Sequence, residues 1–450
     1  MTKIKTILVC LLIGLLASAC GTSTPQETPT SAPPPTSPPT ATVAPTEAGI
    51  RLKADGSGDY ATLEEAVAAA SPGDTILLGA GTYRLAEPLK IEKPLRLVGA
   101  GMDQAEIVSD AEGFVVRFQG DGLFAAEDLT FRHEGEAEAS VVLVEGGEVA
   151  FVRCRFTGAV YAGGHDVAGL VIKEDTTGTV RDCEAVENNG AGIYVAGQAQ
   201  PTLEGNTCSN NELLGIAFFG DAGGVARENE CSNNGRMGIC VGERARPTLE
   251  GNVCKDNAVA GIGYGGSGGG VARQNECSGS IMGIVVEGQA QPTLEENICT
   301  DNEKDGIVYV DTSGGEARRN RCSGNGGDGI SVRDQAQPTL EENVCRNNGE
   351  AGIGYFANAG GIARRNECSE NGQEYGYGIS LIEQAQPTLE ENVCTHNALA
   401  GIAYFDNTGG IARQNECAHN DVGIFVAAGA DPQLENNDLH DNTESILYED

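Results

Sequence analysis

The second half of the chain repeats one pattern of apolar and polar positions at steps of 22 to 26 residues. One unit runs from Pro201 to Phe218 and reads Pro-Thr-Leu-Glu-Gly-Asn-Thr-Cys-Ser-Asn-Asn, a few variable residues, then Gly-Ile-Ala-Phe. Each unit contains three short segments of the apolar and polar alternation that is typical of β-strands, and none has the length or 3.6-residue period of a helix. Such units bury their apolar residues by stacking. The pattern therefore predicts an all-β solenoid, with three short parallel strands in each coil of about 23 residues.

Identical residues recur at the same place in each unit and should form columns, because equivalent positions of stacked strands lie ~4.8 Å apart. Two asparagine columns begin at Asn206 and Asn211, and their amides can hydrogen-bond along the stack. A cysteine column begins at Cys208, with a Cβ spacing above the ~3.5 to 4.5 Å of a disulfide. The sequence contains no Cys-x-x-Cys spacing, so it does not indicate a thiolate metal site. We expect buried free thiols, with Cys240 alone among the repeat cysteines pointing outward.

Glu and Arg alternate without exception four residues before each position of the cysteine column, from Glu204 and Arg227 to Arg413 and Glu435. Stacked along an exposed edge, they predict a ladder of ion pairs that each contribute about 0.2 to 1 kcal/mol. The alternation of charge has a larger effect on the register in which neighbouring coils stack. A slip by one coil would keep the other columns aligned but would place Glu against Glu.

Residues 55–110 predict the entry to the solenoid. Thr62 and Glu65 form a capping box before a short amphipathic helix, and the run Ser-Pro-Gly-Asp from Ser71 ends it. A helix at this point can cover the open end of the first coil and its exposed strand edge.

These motifs resemble one known superfamily. The run Asp-Gly-Ser-Gly-Asp-Tyr from Asp55, the capping helix, Gly-Thr-Tyr-Arg from Gly81 and the later Asn-x-Cys and Gly-Ile coils are similar to pectin-lyase-like proteins, in the group of carbohydrate-binding proteins and sugar hydrolases. The resemblance covers about residues 50–448 and implies a right-handed parallel β-helix with a short N-terminal capping helix. It does not fix an activity, because the superfamily contains lyases, esterases, hydrolases, epimerases and non-catalytic members.

The N-terminus has the layout of a secretory signal: Lys3 and Lys5, an apolar run, then Ala-Ser-Ala before Cys20. Small residues before a cysteine resemble the lipobox of bacterial lipoproteins and imply lipidation of Cys20, the alternative being a plain signal peptide. Thr, Pro, Ser and Ala dominate residues 21–48, which predicts a disordered tether. The predicted organisation is a signal peptide (1–20), this tether, a cap with irregular coils (49–190) and regular repeats (191–450).

A net charge of -36 restricts the partners that the protein can bind. Nucleic acids and anionic membrane surfaces require clustered Lys and Arg, so the sequence excludes the first and limits membrane contact to the lipid anchor. We expect a protein exported and anchored outside a bacterial membrane, at the cell surface or in the periplasm. Its partner would be polysaccharide or another cell-surface component.

The resemblance implies that the Gly-Ile-x-aromatic strand belongs to the sheet whose outer face carries a saccharide groove. Phe356 and Phe405 lie beside this strand, two coils and thus ~10 Å apart, where their rings could stack on sugars. The neighbouring acids could accept sugar hydroxyls or hold a Ca²⁺ ion, the alternative being solvated turn acids. These acids are Asp311, Asp334, Glu383 and Asp406.

No catalytic motif of the superfamily's enzymes is legible, so the catalytic residues stay unknown and no metal site is assigned. His396 and His419 stack in neighbouring coils with Asp441 next in line, which we interpret as an exposed column rather than a metal site. Two function classes stay open. One is a surface-displayed polysaccharide-binding or structural module; the other is a polysaccharide lyase, glycoside hydrolase or uronate epimerase, which would need acids and bases that break the repeat.

Overall fold

The computed structural model describes residues 49–163, 166–372 and 376–449. The predicted signal peptide, the lipidation site Cys20 and the tether lie outside the described residues. From Ile50 onward the chain winds as a parallel β-helix, and neighbouring strands in its three sheets run parallel. The predicted fold class is therefore confirmed.

Sheet 1 contains the Gly-Ile strands. Its 16 strands are Leu89–Ile91, Gly113–Gln119, Ala139–Glu145, Ala168–Lys173, Ala191–Val195, Leu214–Phe218, Met237–Val241, Ala260–Tyr264, Met282–Val286, Ile307–Tyr309, Ile330–Val332, Ala351–Tyr355, Tyr377–Leu381, Ala400–Tyr404, Val422–Val426 and Glu444–Tyr448.

Sheet 2 contains the Thr-Leu-Glu strands and their alternates. Its 20 strands are Ile50–Leu52, Thr75–Leu78, Gly81–Arg84, Leu95–Gly99, Ala105–Ser109, Leu123–His133, Glu148–Thr157, Thr177–Arg181, Glu184–Val186, Thr202–Glu204, Val225–Arg227, Thr248–Glu250, Val271–Arg273, Thr293–Glu295, Glu316–Arg318, Thr339–Glu341, Ile362–Arg364, Thr388–Glu390, Ile411–Arg413 and Gln433–Glu435.

Sheet 3 contains the cysteine strands. Its 10 strands are Glu230–Ser232, Val253–Lys255, Glu276–Ser278, Ile298–Thr300, Arg321–Ser323, Val344–Arg346, Glu367–Ser369, Val393–Thr395, Glu416–Ala418 and Asp438–His440.

One α-helix, α1 (Leu63–Ala69), is present among the described residues. The Thr62 hydroxyl accepts a hydrogen bond from the Glu65 N–H, and the Glu65 carboxylate accepts one from Ala61 N–H, so the predicted cap forms. The apolar face of α1 packs into the first coils of the core. Over the part of the chain that the structure describes, α1 included, no helix combines the length and apolar character needed to span a membrane.

Both predicted asparagine columns form buried hydrogen-bond ladders. The Asn206 Nδ2 donates to Asn229 Oδ1 at 2.9 Å and to the Val180 carbonyl at 2.9 Å, and Asn229 Oδ1 also accepts from Asn206 N–H. In the second column Ser280 replaces one asparagine and accepts from Asn257 N–H. Leaving such a buried amide unsatisfied would cost about 1 to 3 kcal/mol, so each ladder fixes the place where every coil bends.

The cysteine column lies inside the solenoid in register, as in the pairing of Cys231 with Cys254 and of Cys254 with Cys277. All thirteen described cysteines are free thiols, and twelve of them are buried. Cys240 is the half-buried exception. The expectation of stacked free thiols with one outward cysteine is confirmed for the described residues.

The charged column forms ion pairs, but not one continuous ladder. Each arginine of the column bonds to the glutamate of the coil before it, so the column consists of separate pairs. The distances are 2.9 Å for Arg227–Glu204, 2.9 Å for Arg273–Glu250, 3.0 Å for Arg318–Glu295, 2.8 Å for Arg364–Glu341 and 3.2 Å for Arg413–Glu390. Because these side chains lie at the surface and are partly exposed, each pair contributes about 1 kcal/mol or less.

We predict that thiol labelling of the chain that follows Cys20 will modify one cysteine in the native state. The other twelve should react only after denaturation without reductant, because they lie in the core. Labelling followed by peptide mass mapping measures this, and Cys240→Ser should abolish the native signal. Cysteines that stay unreactive in denaturant until a reductant is added would reveal disulfides and contradict the stacking argument.

Candidate functional site

In the regular coils, the glycine directly before the isoleucine of sheet 1 decides which residues reach the outer face of the sheet. A Cβ atom on Gly261 would lie 2.8 Å from the Cβ of Cys277, so the cysteine column requires glycine here. Strand pairing passes over this position, with Met237 opposite Ala260 and then Ile239 opposite Ile262. The residue before the glycine and the second residue after it both lie on the outer face, where they pack together.

Strict alternation of inward and outward residues does not predict this first outward row. Its members pair in register from coil to coil. The row contains Leu214, Met237, Ala260, Met282, Asp305, Asp328, Ala351, Tyr377, Ala400 and Val422. The second outward row, formed by the second residue after each glycine, contains mostly small residues. Because the first row adds larger and acidic side chains, the outer face offers more chemistry than the second row alone predicts.

Two adjoining cavities of about 560 and 390 Å³ form a groove on the outer face of sheet 1. Leu214, Phe219 and Glu243 line both cavities. The groove crosses six strands, from Ala168–Lys173 to Met282–Val286, and is thus roughly 24 Å long at the interstrand spacing.

Two stacked aromatic rings form one wall of the groove. The centroids of Tyr194 and Phe219 lie 5.5 Å apart with the ring planes 9° from parallel. The Tyr194 hydroxyl hydrogen-bonds to the Asp166 carboxylate, which also pairs with Lys173 Nζ at 2.9 Å. Burial, and then the Asp166 carboxylate, raise the pKa of Tyr194 far above its ordinary value. Tyr194 is therefore a fixed hydrogen-bond donor held against an apolar ring.

The floor of the second cavity is open because one coil carries glycines there. Gly263, Gly265 and Gly266 line the cavity together with Cys240 and Val285. A Cβ atom on Gly263 would lie 2.4 Å from the Met237 sulfur, so the Met237 side chain covers this glycine. Burial, followed by the neighbouring Glu287 carboxylate, raises the pKa of Cys240 to about 12. Cys240 is therefore the accessible thiol among the described cysteines, but its raised pKa means that a thiol label modifies it slowly near neutral pH.

Two acids flank the glycine coil. Glu243 is exposed, and its Oε2 accepts a hydrogen bond from the Gly220 N–H at 2.9 Å. Glu287 is half-buried, and burial, then the Asp311 carboxylate, raise its pKa while Arg236 opposes the shift. The groove combines aromatic and apolar walls with a few placed polar groups, as small-molecule sites generally do.

The structure places the predicted acids in one column at the strand ends of sheet 1. Each has a positive φ, and three of the carboxylates accept a backbone N–H of the preceding coil: Asp311 from Gly288 at 2.9 Å, Asp334 from Asp311 at 3.2 Å and Asp406 from Glu383 at 3.0 Å. In the described coils no group of three or more His, Cys, Asp or Glu side chains is close enough to hold a metal ion. The described residues therefore offer no such group of ligands for the predicted Ca²⁺ ion.

Phe356 and Phe405 occupy the same column as Phe219 and are both half-buried. The Arg333 guanidinium carbon lies 5.4 Å from the centroid of the Phe356 ring. The Phe405 ring contacts Tyr377 and Phe425, with centroids 5.5 and 5.3 Å away. Both rings pack against neighbours instead of projecting freely, and they continue the line of the groove along the solenoid.

A pair of buried acids on the outer face was also missed. Asp305 is 4% exposed and Asp328 is 1% exposed, and they follow Met282 in the first outward row. Asp305 Oδ1 accepts from Asp328 N–H at 2.8 Å, and Asp328 Oδ1 accepts from Ala351 N–H at 3.0 Å. The available signal was an aspartate directly before the glycine, where most other coils have an apolar residue.

The second oxygens of the two carboxylates differ. Asp305 Oδ2 accepts from Arg333 Nη2 at 2.6 Å, whereas Asp328 Oδ2 is buried with no hydrogen-bond partner in the described part of the chain. Burial raises the pKa of Asp328 well above its ordinary value of 3.8, and Asp305 adds to this, while Arg333 acts in the opposite direction. The pair thus joins a salt-bridged carboxylate to a carboxyl group that favours its neutral form.

We predict that Asp328→Asn will gain stability over the wild type as the pH rises. A raised pKa in the folded state means that the stability contributed by the protonated carboxyl is present at low pH and is lost as pH rises from the unfolded value through the folded one. Asparagine keeps the acceptor for Ala351 N–H and cannot ionise. The melting temperature of the variant minus that of the wild type should therefore increase between about pH 5 and pH 8.

Calorimetry over this pH range measures the difference, and Asp431→Asn, at an exposed acid, is the matched control. The control should show no comparable trend. A difference between Asp328→Asn and the wild type that does not change with pH would mean that Asp328 titrates normally.

Two family models match the chain. The one described as "Right handed beta helix region" matches residues 139–297 and 260–379, which together cover more than half of the chain. The one described as "Periplasmic copper-binding protein (NosD)" matches residues 339–450. No curated protein matches the chain.

Several solved structures are similar in fold. A periplasmic alginate epimerase, AlgG, is 18% identical over 76% of this chain and 82% of its own, with a TM-score of 0.46. The catalytic unit of a GH87 α-1,3-glucanase from Streptomyces thermodiastaticus is 15% identical over 72% and 64%, with a TM-score of 0.46. The A-module of the Azotobacter vinelandii mannuronan C-5 epimerase AlgE4 is 17% identical over 83% and 89%, with a TM-score of 0.39. At these values the likeness says nothing about substrate or activity.

The described residues of the region 339–450 do not fit a copper site. His396 and His419 stack with ring centroids 4.8 Å apart, and both are exposed. His440 bonds instead to the adjacent Asp441 at 2.9 Å. The His440 ring lies beside that of His419, with centroids 6.3 Å apart, but among the described residues no three such side chains are arranged to hold a metal ion. The histidines form the exposed column that the sequence indicated.

Proposed function

The chain belongs to the right-handed β-helix family, and on that premise we propose that it is an exported protein whose groove on the outer face of sheet 1 binds polysaccharide. The observation that carries this proposal is the groove itself: two joined cavities with an aromatic wall, an apolar floor and a few polar groups. Long polymers fit a groove that follows the solenoid axis, because each strand adds ~4.8 Å of similar surface.

The polar groups are held where a sugar would need them. The Tyr194 hydroxyl donates its hydrogen to Asp166, so its oxygen can accept a hydrogen bond from a sugar hydroxyl in the first cavity. Glu243 carries carboxylate oxygens where the two cavities meet. Phe219 separates the cavities and offers an apolar surface against which the carbon-bound hydrogens of a sugar ring can pack. A ligand that crosses both cavities would contact all three side chains.

The proposed track continues beyond the groove. Phe356 and Phe405 follow Phe219 in its column, and acids follow Glu243 in the adjacent one. These acids are Asp311, Asp334, Glu383 and Asp406. We assign to this segment a secondary role in holding a long chain, because its rings are already packed against neighbours and three of its carboxylates bond to the backbone.

The cellular place is part of the proposal. The signal-like N-terminus, the lipidation motif at Cys20 and the tether at residues 21–48 support export and anchoring outside a bacterial membrane. The match to a model described as periplasmic supports the same conclusion. Another cell-surface component as partner would be favoured if the purified protein bound no glycan.

We predict that Tyr194→Ala and Phe219→Ala will each weaken polysaccharide binding about tenfold or more, which corresponds to ~1.4 kcal/mol. Each removes a ring from the shared wall of the groove. Affinity electrophoresis against a panel of neutral, anionic and cationic polysaccharides, followed by calorimetry, measures this. Tyr448→Ala is the matched control, because Tyr448 is 63% exposed on the last strand of sheet 1. Equal binding by all three variants and the wild type would exclude the groove as the site.

A second candidate function is catalysis on the bound polysaccharide, as a lyase, glycoside hydrolase or uronate epimerase. The observation that favours it is the pair Asp305 and Asp328, which breaks the repeat directly beyond the groove and joins a salt-bridged carboxylate to a buried carboxyl group with a raised pKa. Carboxyl groups whose environments differ in this way are suited to acid and base roles. Product analysis in the binding experiment separates the two functions, since a binding module leaves the polysaccharide unchanged.

A further inference from the structure

We propose that the groove selects polysaccharides that carry primary ammonium groups, such as de-N-acetylated amino sugars, and that these ammonium groups pair with Glu243 and Glu287. This inference rests on the proposed function and names the substrate class of the same groove. Its basis is the shape of the glycine coil, the balance of charge around it and the apolar surface beside it.

The glycine coil creates a gap of the right form. Glu243 lies on the coil before it and Glu287 on the coil after it, so the two residues are two coils, or roughly 10 Å, apart along the axis. A Cβ atom on Gly265 would lie 3.2 Å from Glu287 Oε1, so this carboxylate already reaches across the gap. The Glu243 carboxylate accepts a hydrogen bond from the Gly220 N–H at 2.9 Å and therefore lies on the side of the preceding coil, close to Phe219 at the junction of the two cavities.

The charges around this gap are unbalanced. Of the residues that line the second cavity, Glu243 and Glu287 are acidic and Arg236 is the single base. Asp311 adds a further negative charge near Glu287. In the first cavity, by contrast, the Asp166 carboxylate is paired with Lys173. A surplus of negative charge is therefore concentrated at the glycine coil, and the -36 charge of the chain strengthens it.

An anionic polysaccharide would meet repulsion along the acid column beside the groove. Asp305 is paired with Arg333 and the pKa of buried Asp328 is raised, so this repulsion comes from the column and not from that pair. The acid column continues with Asp311 and Asp334 on the same side. A uronate chain would have to bring carboxylates next to these carboxylates, whereas an amino-sugar chain would bring the complementary charge.

The cavity also stabilises an ammonium group through its partial burial. Glu287 is half-buried, and a desolvated carboxylate gains more from a neighbouring cation than an exposed one does. Phe219 stands at the edge of the same cavity, within reach of the cation–π attraction that aromatic rings offer to ammonium groups. The carbon skeleton of the sugar can pack on Val285 and the covered glycines of the floor.

The test compares three oligosaccharides of equal length by calorimetry: a β-1,4-linked glucosamine hexamer, its fully N-acetylated counterpart and a uronate hexamer. We expect the glucosamine hexamer to bind most tightly and its affinity to fall as salt is added. The double variant Glu243→Gln, Glu287→Gln should weaken its binding at least tenfold and leave the N-acetylated hexamer little changed. Glu230→Gln, Glu444→Gln removes the same charge at exposed sites away from the groove and is the control.

A charge-preserving variant completes the design. Gly263→Val adds a side chain to the floor, where the nearest atom is the flexible Met237 sulfur, and it should also reduce glucosamine binding although every charge is kept. If the groove and control double variants lose the same affinity, the attraction comes from net charge and the inference is wrong. Tighter binding of the uronate or N-acetylated hexamer would overturn the inference and leave the proposed function standing. No binding of any hexamer would overturn both.

Discussion

The buried asparagine ladders are the interaction on which the rest of the structure depends. Each interior asparagine amide donates to the next amide in its column and to a backbone carbonyl, as Asn229 does with Asn252 Oδ1 and the Leu203 carbonyl. These bonds are made inside the solenoid, where an unpaired amide is costly, so every coil must bend at the same place. Once the bends coincide, the cysteine, isoleucine and glycine columns align, and small differences between coils become features of one continuous surface.

The outer surface of sheet 1, which carries the candidate site, depends on the contact between glycine and cysteine. In most regular coils the sheet 1 glycine packs against the cysteine column, and the local irregularity there turns outward both the residue before the glycine and the second residue after it. The regular coils fill these positions with Ala, Val, Met or Leu. Where one coil has glycines, as at Gly263, Gly265 and Gly266, a cavity opens. Where two coils have aspartate, at Asp305 and Asp328, two acids are buried under neighbouring side chains on the outer face of sheet 1.

The fold could be predicted well from the sequence, because the residues that determine it recur in columns at one spacing. The β-helix, the asparagine ladders, the free thiols, the capped helix α1 and the ion pairs all follow from residues that recur at one spacing. The candidate site was harder to predict, because strict alternation hides the residue before the glycine and so hid Asp305 and Asp328. The sequence could not show that the Phe356 and Phe405 rings pack on neighbours, since this depends on side chains of other coils.

The central claim is that the outer face of sheet 1, at the groove lined by Tyr194, Phe219 and Glu243, is where this protein holds a polysaccharide. The most direct measurement is a crystal structure of the protein with a bound oligosaccharide from the calorimetric panel. The account predicts sugar density along the groove, with a ring packed on Phe219 and a contact to Tyr194. Density on sheet 2, on sheet 3 or at an end of the solenoid, with an empty groove, would contradict it.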